Sequence, residues 1–195
     1  MYHIHANILS ANSQQLKEQI EATSHCPDPS MSDWLTLDVP DDGFEMLARW
    51  LYSYQVAWDD DHTTAGEDVA LLCQAYEAGT FLGIGAQFQD EVMDKLVSVL
   101  TRNKDCDPED VLYPMMKTFK KGTAGREFIC DWLILGQWQA QSPAKDHFGD
   151  RDSSFCVEFA RRFVYWKINA DQEKPWKEDP CAYHAHGEDE ECYLE

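Results

Sequence analysis

The sequence predicts an α+β fold, on one segment with the period of a strand and a succession of segments with the period of a helix. Trp34-Leu35-Thr36-Leu37-Asp38-Val39 sets Leu35, Leu37 and Val39 at alternate positions with β-branched Thr36 between them, the pattern of a half-buried strand, and Pro40 ends it. Asp41 or Asp42 then offers a carboxylate to the free amides of a helix whose Phe44, Leu47, Ala48 and Leu51 fall at i, i+3, i+4 and i+7 and which ends near Tyr52. The chain has 195 residues, 44% of them hydrophobic, which is enough to bury the core of one domain, or of one domain with a small extension.

The other elements follow from the same reading. The run Ile8-Leu9-Ser10-Ala11-Asn12-Ser13 gives a short apolar piece that ends in small polar residues. Gln15 to Glu21 is a second helical piece, broken by Pro27 and Pro29. Beyond the polar loop Asp59 to Thr64, the residues Val69, Leu72, Cys73 and Tyr76 repeat the helical stripe, with Gly79 as its expected stop. Phe88, Val92, Leu96, Val97 and Leu100 mark the next helix. Asp107-Pro108-Glu109-Asp110 combines a capping carboxylate, a first-turn proline and two acids at the positive end of the dipole, and Pro114 is expected to kink the helix it opens. Two further helices are expected, Arg126 to about Leu135 and Phe155 to about Trp166. The second carries Phe155, Phe159 and Phe163 down one side, a stripe that would bury against Phe88 and Leu96. There is no internal repeat.

The formal charge is −20, from 36 acids against 16 bases, and it repels phosphate backbones and anionic lipid alike. It is uneven: residues 1–100 carry −14, residues 101–170 carry +1 and residues 171–195 carry −7. The expected organisation is therefore a body over 1–101, a helical extension over 102–170 and an acidic tail over 171–195. No apolar stretch approaches the ~18 residues that span a bilayer, and MYHIHANILSANS lacks the basic and apolar regions of a signal peptide. Seven cysteines, odd in number and widely spaced, fit reduced thiols, so an intracellular place in cytoplasm or nucleus is expected, with neither membrane nor direct nucleic-acid partners.

Most motif-like fragments have bland readings. Gly83-Ile84-Gly85 follows no strand, and Phe88 stands where a dinucleotide loop needs its third glycine. No nucleophile elbow, HExxH or phosphate loop places a nucleophile beside a base, so no enzyme is expected. Asp59, Asp60 and Asp61 lack the alternation, turn glycine and distal Glu of a calcium loop. The tail alone carries ligand chemistry. Cys181-x2-His184-x-His186-x5-Cys192 supplies two thiols and two imidazoles, the set a tetrahedral zinc site uses, at a spacing that closes on one ion only by tight local folding. The competing reading is a solvated acidic tail with Trp176 and Tyr183 packed on the body.

Four segments in order also resemble a known family. His5-Ala6-Asn7-Ile8-Leu9-Ser10-Ala11-Asn12-Ser13 resembles the "H-K-x-hydrophobic-L-x-x-x-S" segment of BTB/POZ domains, and Leu35 to Leu47 resembles their following strand and helix. Trp50-Leu51-Tyr52-Ser53 is similar to the "F/W-L-Y-T" end of that helix, and Leu71 to Leu82 to the "L-L-x-x-A/Y-x-x-A-x-x-L" helix. The resemblance covers residues 1 to about 101, in the manner of the short fungal members. It implies a small sheet with a helical cluster, followed here by a helical C-terminal extension, used for protein contacts and without catalytic residues. Two departures matter: the leading strand with its usual Asp is missing, and Ala6 stands where Lys or Arg is usual. They argue against the strand-exchanged dimer and against corepressor capture through the charged pocket.

The preferred expectation is thus a non-catalytic protein-interaction module, self-associating or serving as adaptor for a cullin-type ubiquitin ligase. The apolar residues left uncovered by the missing strand, Tyr2, Ile4, Ile8 and Leu9, are its candidate interface, against a plain core role for the same side chains. The alternative is a zinc protein centred on Cys181, His184, His186 and Cys192. A transcriptional role would run through a partner, since the chain has no zinc finger of the usual spacing.

Overall fold

Regular structure among the described residues is helical throughout. The computed structural model describes residues 4–24, 41–57, 64–103, 106–136, 153–186 and 192–194. Its helices are α1 (Ala6–Asn12), α2 (Gln14–Ser24), α3 (Asp41–Ser53), α4 (Ala65–Phe81), α5 (Ala86–Arg102), α6 (Pro108–Thr118), α7 (Ala124–Gly136), α8 (Ser153–Ile168) and the single turn α9 (Pro175–Glu178). The α+β expectation is corrected by this: the described residues hold neither strand nor sheet. The segment 34–39, on which the strand was expected, lies outside the described residues. The physical reason is that the apolar stripes of period 3.6 find one another, so the core closes by helix-on-helix packing with no sheet to complete it.

The centre is α4, which packs against α3, α5 and α6. Three helices can crowd one another because its inner face is built from small side chains, with Ala75, Ala78 and Gly79 all buried. A Cβ on Gly43 of α3 would lie 2.5 Å from the backbone of Gln74, and one on Gly79 would lie 2.7 Å from the Phe88 ring of α5. Gly79 is therefore a packing glycine, and the helix runs through it to Phe81. The turn expected there falls instead at Gly83, whose φ of +62° suits a residue without Cβ. Thr64 caps the start of α4 by accepting from the Glu67 amide at 3.3 Å. Ser13 opens α2 in the same way, accepting from the Leu16 amide at 3.1 Å while its hydroxyl donates to the Leu82 carbonyl.

One cluster of buried side chains runs from Leu9 through Leu47, Leu72, Phe88 and Phe128 to Phe155 and Tyr183. It is continuous across residues 101 and 170, where the charge pattern divides the chain. Trp50 meets Phe88 with ring centroids 5.2 Å apart, and Tyr76 meets Phe119 at 4.9 Å. The phenylalanine stripe of α8 divides differently from the expectation. α8 packs on α7, Phe155 is buried under the Arg126 guanidinium, and Phe163 is 43% exposed. Among the described residues no helix is long and apolar enough to cross a membrane.

Two buried ionic groups tie the second half together. Arg126 donates to Glu158 at 3.3 Å and to the carbonyls of Met116 and Phe119, which joins α6, α7 and α8. Asp131 has no exposure at all and accepts from Arg162 Nε at 2.8 Å, from a second Arg162 nitrogen, from Trp166 Nε1 at 2.7 Å and from the Tyr183 hydroxyl at 2.8 Å. Replacing Asp131 by Ala leaves four hydrogen bonds from three residues without their acceptor, and among the described residues Arg162 keeps only the more exposed Glu127 as an ionic partner. Such a loss costs about 3–5 kcal/mol, and the urea midpoint of Asp131→Ala should fall accordingly. Gly43→Ala forces α3 away from the Gln74 backbone and should cost about 1–3 kcal/mol. Gly85→Ala has nothing within 4 Å of the added carbon, and it should stay within about 0.5 kcal/mol of the parent in the same titration.

Candidate metal centre

The C-terminal segment is held to the body by three successive residues that face different partners. Pro175 starts the single turn α9, and Asp179 follows it, accepting from the Cys181 amide at 2.8 Å in a side-chain turn. The chain then tightens, with the His184 amide donating to the Cys181 carbonyl at 3.1 Å. Tyr183 points inward, buried against Phe128 at 5.0 Å and hydrogen-bonded to Asp131. With Tyr183 fixed, its neighbour His184 turns onto α5, where Nε2 lies 3.0 Å from Asp94 Oδ1. The next amide, Ala185, donates to Asp90. Asp90 and Asp94 are one turn apart on α5 and so form a double clasp for the segment.

This placement gathers the four residues expected as zinc ligands. One ligand atom from each of Cys181, His184, His186 and Cys192 lies within 4.8 Å of the others. His184 Nδ1 is 3.2 Å from His186 Nε2 and 3.5 Å from Cys192 Sγ. Zinc bond lengths of about 2.05 Å to nitrogen and 2.3 Å to sulfur set tetrahedral edges of about 3.3 Å between nitrogens and about 3.6 Å between nitrogen and sulfur. The observed edges agree with a set of atoms around one ion.

The electrostatics point the same way. In the neutral tautomer that keeps its proton on Nε2 toward Asp94, His184 Nδ1 would present a lone pair to an ion, the carboxylate–histidine arrangement that orients metal-binding imidazoles; without an ion the same Nδ1 is the atom that faces Cys192. Burial alone would push the Cys192 thiol up, but the Leu194 amide and hydrogen bonds from Cys181, His184 and His186 outweigh it and hold the thiol below its usual range. Its hydrogen bond to Cys192, then burial, push Cys181 up to about 11, so that the two sulfurs share a proton. For His184 burial works against the charged ring, and the hydrogen bond and charge of Asp94 reverse it, raising the pKa. Asp90, buried at 1% exposure, is raised by that burial against the lowering pull of the Ala185 amide and the two imidazoles. Electron pairs and carboxylates thus converge where a cation would relieve them. Four protein donors also fill a tetrahedron, which leaves no position for a substrate or an activated water.

Several residues of this centre escape sequence reading. Tyr193 donates to the second Asp94 oxygen and lays its ring against His184 at 5.7 Å. Asp90 and Asp94 sit i, i+4 on α5 beside its apolar stripe, Asp90 buried and Asp94 half-buried, and the sequence carries no signal that marks them. The candidate interface residues fall elsewhere. Ile4 and Ile8 are half-buried against the core, Leu9 is buried in it, and Tyr2 lies outside the described residues. The acidic loop at Asp59 to Asp61 lies outside them as well. No family model, curated protein or solved structure matches this chain.

Proposed function

We propose that this chain is a zinc-binding helical protein in which the ion has a structural role, closing the C-terminal segment onto α5. The observation that carries the reading is the meeting of two imidazole nitrogens and two sulfurs within 4.8 Å of one another, two of their separations being 3.2 and 3.5 Å, with a carboxylate behind His184. Zinc fits this donor set better than calcium or magnesium, which take oxygen ligands. A closed site leaves no open position on the ion for hydrolysis, which favours a role for the ion in stabilising a surface.

A second reading concerns that surface. Val157, Val164 and Ile168 of α8 are 68%, 56% and 77% exposed, and they lie at helical spacing on one side. Exposed apolar residues in such a row favour the protein-contact role that the BTB/POZ resemblance implies. Light scattering at micromolar concentration should show a self-associated species that the variant Val164→Asp, Ile168→Asp returns to monomer; a monomeric parent removes self-contact. Binding to purified cullin separately tests the ligase-adaptor version.

The zinc reading has direct outcomes. Protein purified without chelator should contain one zinc per chain by elemental analysis, and Cys181→Ser, Cys192→Ser should contain none. Asp94→Asn keeps all four ligands but removes the charge behind His184, and its zinc affinity in competition with a chromogenic chelator should drop about 10–100-fold. A parent that carries no zinc and takes none up from solution overturns the reading.

A further inference from the structure

The six described cysteines do not have equal environments. Cys73 and Cys130 are buried, and desolvation pushes both thiols up to about 12, which leaves them inert. Cys156 is exposed on α8, and Cys106 is half-buried. Among the described cysteines, Cys181 and Cys192 stand out because their sulfurs belong to one cluster no wider than 4.8 Å. They also differ from each other in access, Cys181 half-buried and Cys192 buried. In a tetrahedral zinc site their sulfurs would sit about 3.8 Å apart, and a disulfide needs about 2.05 Å. In the structure the two sulfurs already lie within 4.8 Å of each other.

We propose that Cys181 and Cys192 are an oxidation site, at which hydrogen peroxide converts the pair to a disulfide and expels the zinc ion. This rests on the zinc reading above. The more accessible Cys181 thiolate attacks a peroxide oxygen, the O–O bond breaks, and the departing hydroxide takes a proton to leave as water. Cys181 is then a sulfenic acid. Cys192 thiolate attacks its sulfur, the S–O bond breaks, and the second hydroxide leaves as a second water after taking a proton. Two thiolates have given up two electrons to one peroxide, and two protons have been consumed. The metal is left with His184 and His186, and two neutral imidazoles do not hold zinc as the full set does. A dithiol reductant returns both thiolates and with them the site.

The structural consequence is local. His184 loses the ion but keeps Asp94, and Tyr183 keeps Asp131, so the segment remains anchored at its inner end. What changes is the outer part, where His186 and Cys192 lose their common centre. The disulfide keeps residues 181 and 192 joined by a different and shorter bond. Oxidation therefore changes the surroundings of His186 and Cys192 without unfolding the body.

The test uses the full-length Cys156→Ser protein, which removes the exposed competing thiol, loaded with zinc and verified at one ion per chain before oxidation. That first measurement separates failure of the zinc reading from failure of this one. Submillimolar peroxide should release the ion to a chromogenic indicator in proportion to the loss of two thiols, and peptide mass spectrometry should recover a Cys181–Cys192 cross-link. Reduction and added zinc should restore the one-to-one content. Cys181→Ser should yield no cross-link, and far-ultraviolet circular dichroism of the oxidised protein should keep its helical signal. The proposal is overturned if loaded protein keeps its zinc while other thiols oxidise, if zinc leaves with only sulfinic or sulfonic acid at these positions, or if the cross-link joins other cysteines.

Discussion

A carboxylate with no access to water must be surrounded by donors, and Asp131 meets that demand by drawing three distant pieces of chain to one point. Arg162 and Trp166 come from α8 and Tyr183 from the C-terminal segment, while Asp131 itself sits on α7. The desolvation of one ionised carboxyl amounts to several kcal/mol, so an arrangement with fewer donors would be poorer by an amount comparable to the whole stability of a domain. Asp131 consequently sets how α7, α8 and the C-terminal segment meet, while Arg126 ties α7 to α6 and to the start of α8. The same arrangement also raises the pKa of Tyr183, by burial first and then by the Asp131 charge, so this hydroxyl stays protonated and remains a donor.

The metal centre inherits its position from that constraint. Tyr183 and His184 are adjacent, and once the tyrosine is directed at α7 the histidine can only face α5. Asp94 takes its Nε2 and Asp90 takes the amide of Ala185. Both acids belong to a helix whose other inward residues, Phe88, Val92 and Leu96, are apolar and fully buried. The α5 face is therefore divided, apolar where it meets α4 and anionic where the tail crosses it. That division orients the segment, with Tyr183 directed at α7 and His184 and Ala185 directed at α5.

Much of the helical content was legible in the sequence because a stripe of period 3.6 is a local property. Phe44, Leu47, Ala48 and Leu51 announce α3, and Asp107-Pro108 announces α6, without knowledge of neighbours. The sheet was expected from a single alternating segment and a resemblance, both weaker than stripes repeated along the chain, and the described core needs no strand to close. The ligand types in the tail were legible too. Their convergence was not, because it depends on Tyr183, Asp90 and Asp94, whose partners lie 52, 95 and 90 residues away. Gly79 illustrates the same limit. A glycine late in a helical pattern reads as a stop, and only the Phe88 ring against its Cα shows that it is a contact surface.

The balance of energies explains why this segment would use a metal. From Cys181 to His186 six residues are ordered, at about 1–2 kcal/mol each. Their buried apolar content is essentially Tyr183, since Ala182 is small and half-buried, and a buried aromatic side chain contributes about 3 kcal/mol. Hydrogen bonds to Asp131, Asp94 and Asp90 add about 1–3 kcal/mol apiece where a charge takes part. The sum lies close to zero. Zinc held by two thiolates and two imidazoles contributes about 10–16 kcal/mol at neutral pH, which decides the matter. In a chain of net charge −20 such an ion would also neutralise thiolates that otherwise stand near Asp90 and Asp94. On the zinc reading, the acidity of the C-terminal region would favour the cation electrostatically where the segment buries little apolar surface.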